Sequence, residues 1–417
     1  MRKTILCLAV VIFGCNLALS QATFKVLWNF GEDFKQGIYP LGTLIFDSAG
    51  NLYGTASEGG NSQGSVFELS PNGDGTWSEN TIYTFCPPGS GCADGSGPQT
   101  GLVQDSAGNL YGTTYFGGNE CPSGNVTCGV VFELSPPLAP GGEWTYTNLH
   151  TFCANTCTDG GHPYGQLILD SSGNLYGTTA YFGSGHGHGG TAFELSRSNG
   201  WAITVLHTFC SLGHDNVCPD GQTPAGGLTF DNSGNLYGTT LVGGSATLLG
   251  TGTVYKLSPG ENGWTETVLA PGRGGYPVAA VRFDPDGNIY GTGTGGWKEL
   301  PGRNGGVFRL DANNGYAETA YKFDLTDGSV PWAEVLIDSK RRVLYGTTSG
   351  GNYSFGNVFQ ISASGHETVL HSFCEMQNCA DGLGPYGGLI QDSSGNLYGM
   401  AIRGGTYSEG VVFEITP

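Results

Sequence analysis

Basic residues are scarce in this chain, and so are charge of any sign and helical patterning. Lys and Arg number 16 against 35 Asp and Glu, a formal net charge of −19. So acidic a surface repels phosphate backbones and anionic headgroups, which argues against nucleic-acid and peripheral membrane binding. Only 12% of residues are charged while 74 are glycine, a balance that in isolation suits disorder. The 7 Trp, 20 Tyr and 21 Phe argue against disorder, because they recur at fixed positions and need burial. Beyond the N-terminus no run is apolar for long enough to cross a bilayer as a helix, and no segment carries a 3.6-residue period. A phosphate-cradling loop, an HExxH pair and a Gly-x-Ser-x-Gly elbow are all missing, so the chemistries they mark have no anchor.

What is present is one repeated phrase, Asp-x-x-Gly-Asn-Leu-Tyr-Gly-Thr. It begins at Asp47, Asp105, Asp170, Asp231, Asp284 and Asp392, with a longer, degenerate copy at Asp338. Its tyrosines, Tyr53, Tyr111, Tyr176, Tyr237, Tyr290, Tyr345 and Tyr398, are spaced 53 to 65 residues apart, which suits four strands plus loops. A proline seven residues before each Asp opens the first strand, where no ladder donor is needed. The Gly-Asn turn makes a hairpin into Leu-Tyr-Gly-Thr-Thr. A Gly-Gly loop then leads to a third strand of the type Val-Phe-Glu-Leu-Ser, with period-2 alternation, and a polar turn leads to the fourth.

The last repeat stops after its third strand, while Phe24 to Phe30 match the fourth strand from His366 to Phe373. The start of the chain is therefore expected to complete the last sheet and remove the exposed edges. The predicted fold is all-β: a seven-bladed β-propeller of four-stranded antiparallel blades, closed by its N-terminal strand, as one domain over 23–417. Arg2 and Lys3, the apolar run Ile5 to Phe13 and the small residues around Ser20 to Ala22 read as a signal peptide over 1–22. A lipobox ending at Cys15 is the rival, disfavoured by the bulk of Phe13. The chain is thus expected to be secreted, periplasmic or on the cell surface, as a monomer.

The Asp-x-x-Gly-Asn-Leu-Tyr phrase resembles NHL-type, gluconolactonase-like and streptogramin-lyase-like propeller repeats. The stretches from Gly101 to Leu134 and Gly227 to Leu257 resemble most the GloVer tandem repeat of environmental bacteria. That resemblance implies export and the propeller fold, and it implies no activity.

Cys86/Cys92, Cys121/Cys128, Cys153/Cys157, Cys210/Cys218 and Cys374/Cys379 form local pairs and read as disulfides. Loops this short stabilise by roughly 2 kcal/mol each on a chain-entropy basis, so their work is to stiffen loops. All five are expected on one face, where second-to-third and fourth-to-first connections emerge together. That is the face expected to carry function.

Asp94, Asp159, Asp220, Asp327 and Asp381 occur as Asp-Gly-x-x-Pro, with Gln36 and Arg273 in the other two repeats. Set around the channel mouth, they are candidate Ca²⁺ ligands, against turn chemistry as the plainer reading. Asp284-Pro-Asp286 reads as a turn. His186 and His188 sit in a Gly-rich loop with no recognisable third ligand, and His150, His207 and His371 share a repeat position with Trp28, Tyr83 and Tyr321, which suggests packing. Tyr115, Phe116, Tyr181, Phe182, Trp297, Trp332, Tyr353 and Tyr386 are candidate ligand-binding aromatics on the loop face. The reading is a binding module for a carbohydrate or an extracellular protein, no cofactor being certain beyond that possible Ca²⁺. The alternatives are a polysaccharide or lactone lyase or hydrolase and a structural envelope protein. Asymmetric polar loops, the mark of an enzyme, occur only around His186 and around Trp297-Lys298-Glu299.

Overall fold

A computed structural model describes residues 22–417 apart from 34–35, 60–62, 122–126, 140, 155, 184–188, 212–216, 245–249, 272–274, 296–303, 313–316 and 351–354. The described chain forms seven antiparallel sheets, six of them following strand order, with helix limited to the turns Arg197–Asn199 and Gln377–Cys379. The second blade is typical: Val103–Gln104, Leu110–Thr114, Val130–Ser135 and Thr145–Thr151. In the last sheet the strand Thr23–Asn29 lies antiparallel to Val411–Thr416, with Val26 opposite Phe413, and so completes the seventh blade. In six blades the register shifts on the outermost strand, a bulge that twists this open edge away from pairing.

The repeated Asp builds the hairpin. Asp47 Oδ1 accepts the N–H groups of Ala49 (2.8 Å) and Asn51 (2.9 Å), and Oδ2 accepts the Asn51 amide (2.8 Å) and the Tyr53 hydroxyl (3.2 Å). Asp284 does the same for Asp286 and Asn288, so the Asp284-Pro-Asp286 segment is a turn. Asp338 lacks the Gly-Asn pair and caps Lys340 and Arg341 instead.

Apolar residues do not fill one central core. They form seven clusters, each spanning a junction between neighbouring blades. Tyr53, Val66 and Phe85 of the first blade, for instance, meet Leu102, Leu110 and Phe132 of the second, all at most 5% exposed. Each large side chain so buried contributes about 1.5–3 kcal/mol.

The first strands differ from expectation. Proline does not open the ladder in most blades; pairing begins later, at Val103–Gln104, Thr229–Phe230, Arg282–Phe283 and Ile390–Gln391. Neighbouring backbones approach too closely at the centre for a regular strand. A Cβ on Gly42 would overlap the Gly101 backbone, and one on Gly387 would overlap the Gly42 carbonyl.

At the top of each first strand lies a clasp. The residue before the proline (Tyr39, Gly97, His162, Thr223, Tyr276, Val330, Gly384) takes a φ of 55–69°. This turns its N–H back to a carbonyl of the preceding blade: Glu409, Gln63, Cys128, Gly189, Thr251, Asn304 and Phe355, at 2.7–3.0 Å. The glycine after each carbonyl acceptor (Gly410, Gly64, Gly129, Gly190, Gly252, Gly305, Gly356) is left-handed, and a Cβ there would come within 2.5–2.8 Å of the next blade's proline ring. Farther down, the phrase's threonine bonds the next blade's first strand, as Thr178 does to the Gly226 carbonyl at 3.0 Å and Thr347 to Gly387 at 3.0 Å.

Gly129 and Gly50 share a left-handed φ, but only Gly129 faces a proline, Gly50 having open space. Gly129→Ala should lower unfolding free energy by about 2–4 kcal/mol and Gly50→Ala by about 1 kcal/mol, as measured by urea denaturation. Equal effects would show that the clasp is not tight.

Candidate functional site

The ring leaves a central cavity of about 470 Å³, lined by the first strands of all seven blades. Because side chains alternate along a strand, positions six and four residues before each hairpin Asp both reach it. The upper position is Leu41, Ala225 or Val278 in three blades and Gln99 in a fourth, and bears Tyr164, Trp332 and Tyr386 in the other three. The lower position is Gly or Ala in four blades and Thr43, Gln166 and Glu334 in the others. Glu334 Oε1 accepts from Arg282 Nη2 (3.1 Å) and from the Thr43 hydroxyl (3.3 Å), and Arg282 Nη1 donates to Thr229 (3.2 Å). One polar network thus runs around the lumen across four blades. Gln166 is tied to the Leu102 carbonyl at 2.8 Å.

Above this floor stand the aromatics. Tyr115 and Phe116 come from the second blade's loop, Tyr181 and Phe182 from the third. They converge on His162, whose ring lies 4.6 Å from Tyr115, 5.8 Å from Phe116, 5.6 Å from Tyr181 and 6.1 Å from Phe182. Tyr164 meets Tyr115 at 5.8 Å. On the other side Trp332 and Tyr386 lie 6.0 Å apart. Burial lowers the His162 pKa, although Nδ1–H donates to the Tyr115 carbonyl at 3.1 Å, so the ring stays neutral. Burial raises the Tyr164 phenol, and the hydroxyls of Tyr181 and Tyr386 add to it from either side of the mouth. Tyr115 is raised likewise, by burial first and then by Tyr181 and Tyr164. These phenols therefore remain donors at neutral pH. Phe116 and Tyr386 are 38% and 39% exposed, so a ligand can reach them.

All five predicted disulfides are present. Cys86, Cys92, Cys153, Cys157, Cys210, Cys374 and Cys379 have left-handed φ values, a conformation that a non-glycine residue resists. The carbonyls of Cys92, Cys157, Cys218 and Cys379 accept N–H bonds from Gly118, Gly183, Gly244 and Gly405, equivalent glycines of the Gly-rich loops that follow. Both kinds of connection therefore share one face, and the staples hold the turns against the loops that carry the aromatics.

Six of the eight aromatic candidates are placed here; Trp297 and Tyr353 lie outside the described residues, as do His186, His188, Lys298, Glu299 and Arg273. The five Asp candidates do not circle the channel. Asp94 accepts from Tyr83 on the outermost strand (2.8 Å) and from the Cys86 N–H; Asp159 pairs with His150 (2.9 Å), Asp327 with Tyr321 (2.8 Å) and Asp381 with His371 (3.2 Å), while Asp220 accepts from the Cys210 N–H (2.8 Å). Each serves its own loop at a separate blade junction, because the left-handed glycine that follows turns the chain inward only after the Asp. Reading by sequence missed Tyr164, His162, Thr43, Arg282 and Glu334. A signal was present at two repeat positions: Thr43 and Glu334 depart from the Gly or Ala that four other blades hold, and Arg282 from the aliphatic residues that five others hold.

The family model described as Gloeobacter/Verrucomicrobia repeat matches residues 11–251 and 247–417. The chain is similar to a solved gluconolactonase-type structure, at 15% identity and TM-score 0.43, covering 85% of this chain and 95% of that one. It is also similar to a solved luciferin-regenerating enzyme, at 11% identity and TM-score 0.46, covering 95% of each. No curated protein matches it significantly.

Two junction carboxylates set a pH dependence. Burial pushes Glu79 up to about 7, against a hydrogen bond from Thr81. It pushes Glu367 up to about 7, with the charges of Asp327 and Asp324 adding. Between the ordinary value of 4.5 and about 7 the folded chain keeps protons the unfolded chain has lost, so these groups reduce stability as pH rises through that window. The Glu79→Gln/Glu367→Gln double variant should flatten the fall in urea midpoint between pH 4.5 and 7.5; an unchanged slope would refute the assignment.

Proposed function

The chain belongs to the Gloeobacter/Verrucomicrobia repeat family, and from that premise we propose that it is an exported β-propeller that binds a carbohydrate at the mouth of its channel. One observation carries this reading: two groups of aromatic rings, Trp332 with Tyr386 and Tyr115 with Tyr164, flank a floor of hydrogen-bonding side chains around Glu334. Sugar C–H faces stack on such rings, while hydroxyls need donors and acceptors within a few ångströms. The phenols supply donors, and Glu334 and Thr43 supply acceptors. The five disulfides fit an oxidising, extracellular environment, in which polysaccharide is available.

A second reading rests on the Arg282–Glu334 pair, which breaks the sevenfold pattern inside the channel. It makes Glu334 the acid or base of a polysaccharide or lactone hydrolase or lyase.

Calorimetric titration with a panel of soluble oligosaccharides and polysaccharides separates the two. On the binding reading, Trp332→Ala and Tyr386→Ala each weaken affinity by roughly tenfold or more, with no product formed. Product formed by the wild type and abolished in Glu334→Gln selects the enzyme. Absence of binding across the panel defeats the carbohydrate reading in favour of a protein partner.

A further inference from the structure

Near the outer rim, the blade junctions that lie wholly among the described residues present the same three positions. They are a residue late in one blade's outermost strand, the residue before the glycine that enters the next blade, and a residue of that next blade's outermost strand. Between the second and third blades these are His150, Asp159 and Ile203; between the sixth and seventh, His371, Asp381 and Phe24. In both, the imidazole closes on the aspartate, at 2.9 Å and 3.2 Å, and Phe24 stacks on His371 at 3.8 Å. These two histidines pack as their repeat position predicts.

The junction between the third and fourth blades differs. Its positions hold His207, Asp220 and Glu266, three groups able to ligate a metal. His207 Nε2 stands 3.7 Å from Asp220 Oδ2 and 3.8 Å from Glu266 Oε2, beyond hydrogen-bonding distance from either. The ligating atoms lie within 4.8 Å of one another. His207 Nε2, Asp220 Oδ1 and Glu266 Oε1 are buried with no hydrogen-bond partner among the described residues. The Asp220 side chain is only 10% exposed, and its other oxygen is held by the Cys210 N–H at 2.8 Å, which orients the carboxylate. Buried polar atoms left unpaired each cost about 1–3 kcal/mol. Donors bound at about 2.0–2.2 Å to one ion stand roughly 3–4 Å from each other, and both distances from His207 fall in that range.

We propose that His207, Asp220 and Glu266 form a binding site for a divalent transition-metal ion, with Zn²⁺ as its chemical type, bridging the third and fourth blades. One imidazole nitrogen with two carboxylates suits such an ion; Ca²⁺ prefers an all-oxygen shell. Burial pushes the Glu266 carboxyl up to about 7, with His207 opposing, and a cation between the groups would compensate both carboxylates. The site lies at the outer rim, so it stands or falls independently of the channel.

The test is calorimetric titration of Zn²⁺ into the EDTA-treated full chain, with melting followed in parallel. The expected result is one high-affinity ion per chain and a raised melting temperature. Glu266→Gln and His207→Ala should each weaken binding by more than the ~10–100-fold that loss of an outer partner costs. Asp159→Asn, at the equivalent junction, should leave it unchanged. Glu266→Ile, which copies Ile203, keeps the junction packed should the other variants misfold, and its melting temperature in EDTA reports that. No binding by the wild type overturns the proposal. So does binding of equal strength in the Glu266 and His207 variants, or Ca²⁺ binding as tight as Zn²⁺.

Discussion

Seven backbone hydrogen bonds, each running from a residue before a proline to the carbonyl ahead of a glycine in the preceding blade, set the geometry on which the ring depends. The donor can point backwards only with a positive φ, which Thr223 and Val330 adopt despite their branched side chains. That conformation costs about 1–2 kcal/mol, and a hydrogen bond returns about 1 kcal/mol net. The clasp therefore contributes little to stability. It specifies angle and spacing, while stability comes from the seven interblade clusters. At the closure, Tyr39 reaches Glu409 by the same bond, so the junction made by the two ends of the chain matches the other six.

The two faces acquire different characters from this arrangement. Hairpins capped by aspartate leave one face short and regular. On the other, loops are drawn together by clasps, glycine pairs and disulfides, and this face carries the aromatic mouth. The stapled cysteines hold left-handed turns that glycine would otherwise have to supply, and they do so where a loop must stay in place to present a ring.

A sevenfold frame also makes individuality readable. Where one copy holds a polar group or a pairing that most other copies lack, the frame gives no structural reason for it. Glu334 stands where four other blades hold Gly or Ala, and Arg282 where five others hold an aliphatic residue; Glu266 shares its position with Glu79, Glu318 and Glu367 and is set apart by the imidazole of His207 that it meets. The polar network in the lumen and the unpaired cluster at the third junction are both departures of this kind.

Much of the fold was legible in the amino-acid order because it is local. The aspartate hairpins, the period-2 strands and the cysteine pairs each involve residues less than ten positions apart, and repetition multiplied the signal sevenfold. The closing strand was legible because it matched a known fourth strand. Direction was not legible. Asp94 and its equivalents sit beside the prolines that edge the channel, yet they face outward, because one left-handed glycine separates them from it. Nor did order reveal that Arg282 meets Glu334, 52 residues away, or that His207 and Glu266 share a junction. Hydrophobic period and turn chemistry are written in neighbouring residues, so the sequence determined the blades and their number. Which side chains share a lumen or a junction depends on the radius and twist of the closed ring, and only the tertiary structure decided that.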